Sequence, residues 1–351
     1  MEENFNVEEY HNILCNEKPC FIFKYAELYL LQRLSTVGLL CGTDWTPLYH
    51  NKFFYSRLDH SIGVALIIWN FTHNKKQTLA GLLHDVSTPS FSHVSDFRNG
   101  DALTQESTED TNANMIIQDV SLGAMLNQDG IYSTEVSDYH KFPIADNEMP
   151  ALSADRLEYM YPSGAALDGS WTLDEIEKNY KAIKVLTNEK QILELGFTSE
   201  EEALIYTKKF CSISLLLQHN ENKLTLQLMA DIISKAIKCG IICENDLFKM
   251  SEEQLLEVFT NAVDSEIDEN FTKLFLTFRN MKEVLHTEEP VEDSFYVSLD
   301  VKKRYIDPLV LVDSRTGEAK RISEINKEAS DCIKNFLSYK DTKYGCVKFE
   351  L

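Results

Sequence analysis

The sequence has few basic residues and no long apolar segment. Lysine and arginine number 34 against 56 aspartate and glutamate residues, so the formal net charge is −22 at pH 7. Non-specific binding to nucleic acid needs a broad basic face that displaces counterions, and we do not expect this class of function. No uninterrupted apolar run reaches the roughly 18 residues needed to cross a bilayer, so a membrane-spanning protein is not expected either.

A secretory signal and Cys-x-x-Cys pairs are also lacking. The first segment, MEENFNVEEYHNILCNEK, is acidic, whereas a signal peptide has a basic, then an apolar, then a small-residue region. The 8 cysteines are scattered through 351 residues, a length that folds without disulfides. We therefore expect reduced thiols in a cytoplasmic protein.

Helical patterns dominate the chain up to Pro290. In SRLDHSIGVALIIWNFTH the apolar residues recur three and four positions apart, which predicts a helix with one buried face, and TLAGLLHDV predicts a second helix that ends in a His-Asp pair. Ser199 and Ser251 precede acidic residues and predict helix N-caps, whereas Gly240 predicts a helix end. After Pro290, SFYVSLDVKKRYIDPLVLV alternates and is rich in Val, Tyr and Ile, which predicts strands.

These patterns predict a mainly α-helical protein in three parts. The parts are a helical core at 1–170, a helical extension at 171–290 and a small C-terminal α/β element at 291–351. Residues 98–150 hold two polar segments around a short predicted helix from Ala113 to Met125. Loops of this kind could cover a site.

Four polar residues stand inside apolar helical segments. His60 is on the first predicted helix, His84 and Asp85 end the second, and Asp155 lies in PALSADRLEYMYP on a third. Such groups cost several kcal/mol each when they are buried without partners. Imidazoles and carboxylates that converge from different helices are typical ligands of a divalent metal, and the alternative is exposure to surface water.

Three segments in order carry a family resemblance. SRLDHSIGV, GLLHDVSTPSFSHVSD and SADRLEYMYP resemble the motifs of the HD-domain metal-dependent phosphohydrolases, whose signature is a His, a His-Asp doublet and a distant Asp. LLQRLSTVGLL is similar to the segment before the first His in the deoxynucleoside triphosphate triphosphohydrolase (dGTPase-like) branch. The resemblance covers about residues 28–165, with a weaker echo at VKKRYIDPLV, and it implies an HD-domain helical bundle.

The resemblance implies a metal centre and a reaction. His60, His84, Asp85 and Asp155 take the places of the ligands, and Fe, Mn, Zn, Co, Ni and Mg all stay open as the metal. The implied reaction is attack of metal-activated water on phosphorus, with Asp85 bridging metals or orienting the water.

Three further positions match contacts with the substrate. Arg57 matches an arginine that contacts phosphate, and the alternative is a structural ion pair with Asp59 or Glu27. Arg156 and Tyr159 stand where the branch has a phosphate-contacting lysine and a sugar-contacting tyrosine. Their alternative is a solvated stripe on a helix.

The remaining matches concern proton transfer and the sugar. His93 and its acidic neighbour Asp96 match an active-site pair that can protonate a leaving oxygen, or the pair merely fixes a loop. Thr88 and Gln105 stand where the branch has histidines, and Leu39 stands where it has a glutamine against the sugar. An amide does not titrate near neutral pH, so Gln105 cannot relay a proton.

Two functions follow from these observations. The first is a metal-dependent phosphohydrolase that acts on a nucleotide, with a deoxynucleoside triphosphate among the candidates, or on another small phosphate ester, and that assembles as a homo-oligomer. The second is a catalytically weak or inactive regulatory protein that binds nucleotides. The complete ligand set favours the enzyme, whereas Thr88 and Gln105 favour the regulatory protein.

Overall fold

The computed structural model describes residues 5–103 and 109–350. These residues contain sixteen α-helices and seven β-strands. The helices are α1 (Val7–Leu14), α2 (Cys20–Ala26), α3 (Tyr29–Gln32), α4 (Arg57–Thr72), α5 (Lys75–Leu82), α6 (Val94–Arg98), α7 (Glu109–Gln118), α8 (Val120–Gln128), α9 (Ala154–Leu167), α10 (Leu173–Tyr180), α11 (Glu200–Gln218), α12 (Asn220–Lys238), α13 (Glu252–Asp264), α14 (Glu269–Asn280), α15 (Ile322–Ile325) and α16 (Lys327–Ser338). The strands are β1 (Ile183–Thr187), β2 (Leu193–Phe197), β3 (Leu285–Thr287), β4 (Ser294–Val297), β5 (Leu309–Asp313), β6 (Glu318–Arg321) and β7 (Tyr344–Lys348).

Helices α4, α5 and α9 correspond to the three predicted motif helices. The Ser56 hydroxyl caps α4 and the Ser153 hydroxyl caps α9, each by accepting a backbone N–H in the first turn. The sequence pattern predicted a helix that ends in His84 and Asp85. Helix α5 instead ends at Leu82, and these two residues lie in the turn that follows it. The mainly helical fold is confirmed.

Caps also decide the other helix limits. The predicted N-caps Ser199 and Ser251 and the predicted helix end at Gly240, where φ is +71°, are confirmed. The single helix predicted from Ala113 to Met125 is instead the pair α7 and α8. Asp119 separates them because its carboxylate accepts the backbone N–H of Leu122 at 2.7 Å and starts a new helix.

The strands form two sheets, in the orders β1-β2-β5-β6 and β3-β7-β4. Strand β2 pairs with β5 in parallel, through Gly196 with Leu309 and Phe197 with Val310. Residues 291–351 contain both strands and helices, which fits the predicted α/β element in part, but their strands join sheets begun earlier in the chain: β5 and β6 extend the hairpin β1-β2, and β7 pairs with β3. Without β5, strand β2 of this hairpin would have an unpaired edge. The boundaries at 170 and 290 stay a prediction.

Buried apolar side chains form two large clusters. The first cluster joins α1–α5 and α7–α11, and it includes Ile306, Val310, Ile322 and Ala329 from the C-terminal region. The second cluster joins α12–α14 to strands β4 and β7, and it includes Phe91. The chain after α5 passes from the first cluster to the second, so the segment HDVSTPSFSH lies where the two clusters meet. No helix in the described ranges is both long and apolar enough to cross a membrane.

Candidate metal centre and cavity

His60, His84 and Asp155 converge from three elements: α4, the turn after α5, and α9. The Nε2 atoms of the two histidines are 3.2 Å apart. Oδ1 of Asp155 lies 3.1 Å from Nε2 of His60 and 3.7 Å from Nε2 of His84. One ligand atom of each residue lies within 4.8 Å of the others, so the three residues form a group that can hold a metal ion.

Both imidazole rings are fixed through their Nδ1 atoms. Nδ1 of His84 donates to the carbonyl of Gly81 at 2.7 Å, and Nδ1 of His60 donates to the carboxylate of Glu158. Each Nε2 therefore directs a lone pair toward the other ring. Two lone pairs at this separation repel each other unless a cation lies between them, which fits the donor set of a divalent metal.

The electrostatics of the centre favour positive charge. Burial lowers the pKa of His60, but the charge of Glu158 and the hydrogen bond with Asp155 raise it to about 10. Burial raises the pKa of Asp155, but its bond to His60 and the charge of His84 hold it well below its usual range. These shifts follow from the attraction between the imidazoles and the surrounding carboxylates, which favours positive charge at this place.

Asp85 lies beside both histidines but is bonded to other groups. Its Oδ2 is 3.5 Å from Nε2 of His84 and 3.8 Å from Nε2 of His60. The same oxygen accepts from Nη1 of Arg57 at 2.7 Å, and Oδ1 accepts from the Thr88 hydroxyl at 3.2 Å. Thr88, which replaces a histidine of the dGTPase-like pattern, orients the Asp85 carboxylate.

Arg57 is buried at the first position of α4. Its Nε donates to the Ser92 hydroxyl at 2.8 Å, while Nη1 pairs with Asp85. The ion-pair partner is therefore Asp85 and not Asp59 or Glu27, the two partners that the sequence suggested. Arg57 joins the turn after α5 to the loop that precedes α6.

Arg156, at the third position of α9, is bonded to the loop before that helix. Its Nε donates to the carbonyl of Ala151 at 3.0 Å, and Nη1 pairs with Oδ1 of Asp146 at 3.2 Å. Nη2 donates to both the carbonyl and the side chain of Asn147. The guanidinium thus fixes the loop, and its predicted contact with phosphate stays a prediction.

His93 reaches the cavity and is held by Asp96. Its Nδ1 donates to Oδ2 of Asp96 at 2.9 Å. Burial lowers the pKa of His93, the bond to Asp96 raises it, and the nearby charges of Arg304 and Arg57 lower it, so the net shift is downward. The lowered pKa favours the neutral imidazole.

A cavity of about 1140 Å³ contains the centre. All the residues predicted for metal or substrate line it, and so does His93, whereas Asp96 lies behind His93. Leu39 lines the wall, as do Lys302 and Arg304 from the C-terminal region. The loop before α9 forms another part of the wall, as predicted for residues 98–150, with Tyr139, His140, Asp146, Asn147, Glu148 and Met149.

Tyr159 and Arg304 share one part of this wall. Burial raises the pKa of the Tyr159 phenol to about 12, although the Arg304 charge lowers it. Arg304 was missed by sequence reasoning, because VKKRYIDPLV was recognised only as a weak echo of the family. The prediction for Gln105 lies outside the described residues.

Glu158 was also missed, although a signal was present. It is fully buried, and its Oε1 accepts from the Tyr55 hydroxyl at 2.6 Å while Oε2 accepts from His60. It follows Asp155 by three positions on α9, so both carboxylates share one helix face. If DRLEY is assigned to a buried helix, this three-residue spacing predicts that Asp155 and Glu158 act at the same site.

Asn112 on α7 holds the turn that carries the His-Asp doublet. Its Nδ2 donates to the carbonyl of Leu83 at 3.2 Å, and its Oδ1 accepts from the backbone N–H of Ser87 at 3.0 Å. The amide thus bridges the residues on either side of His84 and Asp85. No sequence pattern pointed to this residue.

A second group of possible donors consists of Glu221, His286 and Asp341. Nε2 of His286 lies 2.8 Å from Glu221 and Nδ1 lies 2.9 Å from Asp341. The bond to Glu221 is the largest cause of the raised pKa of His286. Each ring nitrogen faces a different carboxylate, so the imidazole bridges two acids.

No family model matches the chain. The chain is 25% identical over 285 residues to the uncharacterized protein YdhJ of Bacillus subtilis, across 79% of this chain and 81% of that protein. It is 23% identical over 295 residues to the metal-dependent phosphohydrolase cns2 of Cordyceps militaris, across 82% of this chain and 78% of that protein.

Two solved structures share the fold. A phosphohydrolase from Bacteroides thetaiotaomicron has a TM-score of 0.63 at 15% identity and covers 94% of this chain and 95% of its own. A hypothetical protein from Aquifex aeolicus has a TM-score of 0.61 at 15% identity, with 93% and 91% covered. The likeness to cns2 supports the resemblance to metal-dependent phosphohydrolases, and the two solved structures show the shared fold. Neither name mentions the dGTPase-like branch.

Proposed function

We propose that the protein is a metal-dependent phosphohydrolase that acts on a small phosphate ester, with nucleotides as the substrate class. One observation carries the proposal: two Nε2 lone pairs and the Asp155 carboxylate converge at the wall of a cavity that arginine side chains also line. A chain of net charge −22 repels phosphate at long range, so cationic groups at the site are needed to bind it.

The residues of the proposed metal centre have different roles. His60, His84 and Asp155 hold the cation, and Asp85 completes the ligand set or accepts a hydrogen bond from the attacking water. A divalent cation held there polarises a phosphoryl oxygen and lowers the pKa of a bound water. Glu158 and Gly81 keep both rings in the tautomer that leaves Nε2 free.

Cationic side chains bind the phosphate. Arg57 lies within the cavity wall against Asp85, and Lys302 and Arg304 line the wall from the C-terminal region. A bound phosphate adds negative charge beside His93 and raises its pKa, which makes this imidazole the donor of a proton to the leaving oxygen. Asp96 keeps the ring oriented for that transfer.

The size and lining of the cavity favour a nucleotide over a bare phosphate. About 1140 Å³ is more than a phosphate group fills, and it lies at the upper end of ligand cavities. Leu39, Ile213 and Leu217 supply apolar wall for a base, and Tyr159 supplies an aromatic ring. Activity on deoxynucleoside triphosphates, with a deoxynucleoside and triphosphate as products, stays a prediction because Leu39 cannot hydrogen-bond a sugar.

The test is release of phosphate or triphosphate from a panel of nucleotides with Mn²⁺, Mg²⁺, Co²⁺ or Ni²⁺. We expect metal-dependent release that falls by at least about 100-fold in Asp155→Asn, since the variant loses a ligand. Glu253→Gln, which changes an exposed carboxylate of α13, is the control and should retain activity. Release that survives Asp155→Asn would contradict the metal mechanism.

Thr88 favours one other function. Its hydroxyl orients Asp85 but does not titrate near neutral pH, so the site has one proton carrier fewer than the dGTPase-like pattern. A regulatory protein that binds nucleotides without turnover would show tight binding by calorimetry and no release with any of the four metals. The predicted self-assembly is checked separately by light scattering.

A further inference from the structure

The loop that precedes α6 has two consecutive residues with left-handed backbone. φ is +65° at Phe91 and +54° at Ser92. Each such residue costs about 1–3 kcal/mol unless its surroundings hold it. The backbone N–H and the hydroxyl of Ser90 donate to the carbonyls of Leu247 and Met250, both at 2.8 Å. The second cluster thus anchors this loop.

Glu252, the first residue of α13, completes the anchor. Its side chain is fully buried, and Oε1 accepts from the backbone N–H of Phe91 at 2.9 Å and from that of Gly38 at 3.0 Å. Oε2 accepts from the indole N–H of Trp45 at 2.6 Å. One carboxylate therefore joins α13 to two segments that are far from it in the sequence, 36–46 and 88–98.

Further hydrogen bonds continue from these segments to Arg57. The Ser92 hydroxyl donates to the carbonyl of Gly38 at 2.8 Å and accepts from Nε of Arg57 at 2.8 Å. The backbone N–H of Arg57 donates to the carbonyl of Val37 at 2.8 Å, and Gly38 forms a β-bridge with Ser56. A continuous set of bonds thus runs from α13 to the guanidinium at the cavity.

We infer that Glu252 is a positioning residue, which sets the places of Arg57 and His93 relative to each other from outside the cavity. The inference rests on the proposed function for the roles of those two side chains. Glu252 does not line the cavity, so its effect passes through the two segments that it joins. A displacement of about 1 Å in a group that acts on the substrate lowers a rate by as much as 100-fold.

The chemistry of the carboxyl group explains why glutamate is needed here. Three N–H donors converge on two oxygen atoms. In Glu252→Gln one oxygen becomes an NH₂ group and faces a donor, so at least one buried hydrogen bond is lost. Glu253 is exposed on the same helix turn, and Glu253→Gln removes the same charge without touching these bonds.

The first measurement needs neither metal nor activity. Hydrogen exchange is followed by mass spectrometry in the metal-free full chain for the wild type, Glu252→Gln and Glu253→Gln. We expect peptides within 36–46 and 88–98 to exchange about 10-fold faster in Glu252→Gln, with other regions unchanged. Equal exchange in the three proteins would overturn the inference.

The second measurement uses the nucleotide and metal that the wild type turns over. Glu252→Gln should lower kcat/KM by about 10- to 100-fold while its affinity for Mn²⁺ stays within about 2-fold, because the metal ligands belong to other segments. Glu253→Gln should match the wild type. Faster exchange with unchanged kcat/KM would overturn the positioning role. A wild type that hydrolyses no phosphate ester would instead contradict the proposed function.

Discussion

Nδ1 of His60 donates to the buried carboxylate of Glu158, and the two residues lie on the packed helices α4 and α9. The contact places a negative charge behind a metal-facing imidazole, which makes its Nε2 a better ligand and fixes the ring. We therefore expect the affinity for metal to depend on the packing of these two helices.

The first prediction concerns Glu158→Gln. The amide keeps the size of the side chain but loses the charge behind His60, so affinity for Mn²⁺ should fall by about 10- to 100-fold. Calorimetric titration measures this. Tyr55→Phe removes only the bond to the other oxygen and should cause a smaller loss. Unchanged affinity in a folded Glu158→Gln protein would show that the pair has no influence on the metal.

Gly63→Ala should act on the same pair from α4. A Cβ atom at Gly63 would overlap the Glu158 carboxylate, so we expect a loss of about 1–3 kcal/mol in the free energy of unfolding and weaker metal binding. Gly123→Ala in α8 is the control, since the nearest atom to its Cβ is 3.9 Å away. There alanine should add about 0.5–1 kcal/mol. Urea unfolding of the metal-free proteins compares them, and equal shifts would refute the overlap.

Asn112→Ala should loosen the turn that carries His84 and Asp85. The carbonyl of Leu83, which also accepts from the backbone N–H of Val86 at 3.3 Å, and the N–H of Ser87 would each lose their bond to Asn112, and we expect a cost of about 1–3 kcal/mol. The exposed Gln118 on the same helix offers the control, and Gln118→Ala should change stability by less than about 0.5 kcal/mol. Equal urea midpoints for the two variants would contradict the bridging role.

A pH dependence of stability should arise from Glu252. Burial raises its pKa to about 7, the three N–H donors lower it, and the charge of Asp44 raises it. The folded protein then binds this proton more tightly than the unfolded chain, so its contribution to stability is present at low pH and is lost as pH rises from about 4.5 to about 7.

The size of this effect is about 3 kcal/mol across that window. It is measured as the difference in unfolding free energy between the wild type and Glu252→Gln at several pH values, with Glu253→Gln as reference. The advantage of the wild type should shrink as pH rises. Besides Asp44, the nearby Cys41 thiol also interacts with this carboxylate. A constant difference would contradict the raised pKa.

Sequence reasoning grouped the three candidate metal ligands that converge in the structure because the information is local. His60, His84 and Asp155 each stand in an apolar segment with a recognisable pattern, and segments of that kind must pack their polar residues together. Arg57 shows the limit of this reasoning. The predicted alternative partners were Asp59 and Glu27, whereas its actual partner Asp85 lies in the turn after the next helix, α5.

The features that were missed depend on contacts between distant segments. Pairing of β2 with β5 joins residues more than one hundred positions apart, and no periodicity encodes a partner at that distance. Glu252 begins a helix whose cap was predicted, yet its side chain bonds to Gly38 and Phe91 in another part of the chain. Helix limits follow from short patterns, but the partners of a buried carboxylate do not.

The first cluster includes Ala329 at its C-terminal limit, and this has a consequence for biosynthesis. At a ribosomal speed of about 5–20 residues per second, the 174 residues between Asp155 and Ala329 take roughly 9–35 s to emerge. During that interval the nascent helices expose the apolar faces that Ile306, Val310 and Ile322 later cover. The first cluster can therefore close only after Ala329 has emerged from the ribosome.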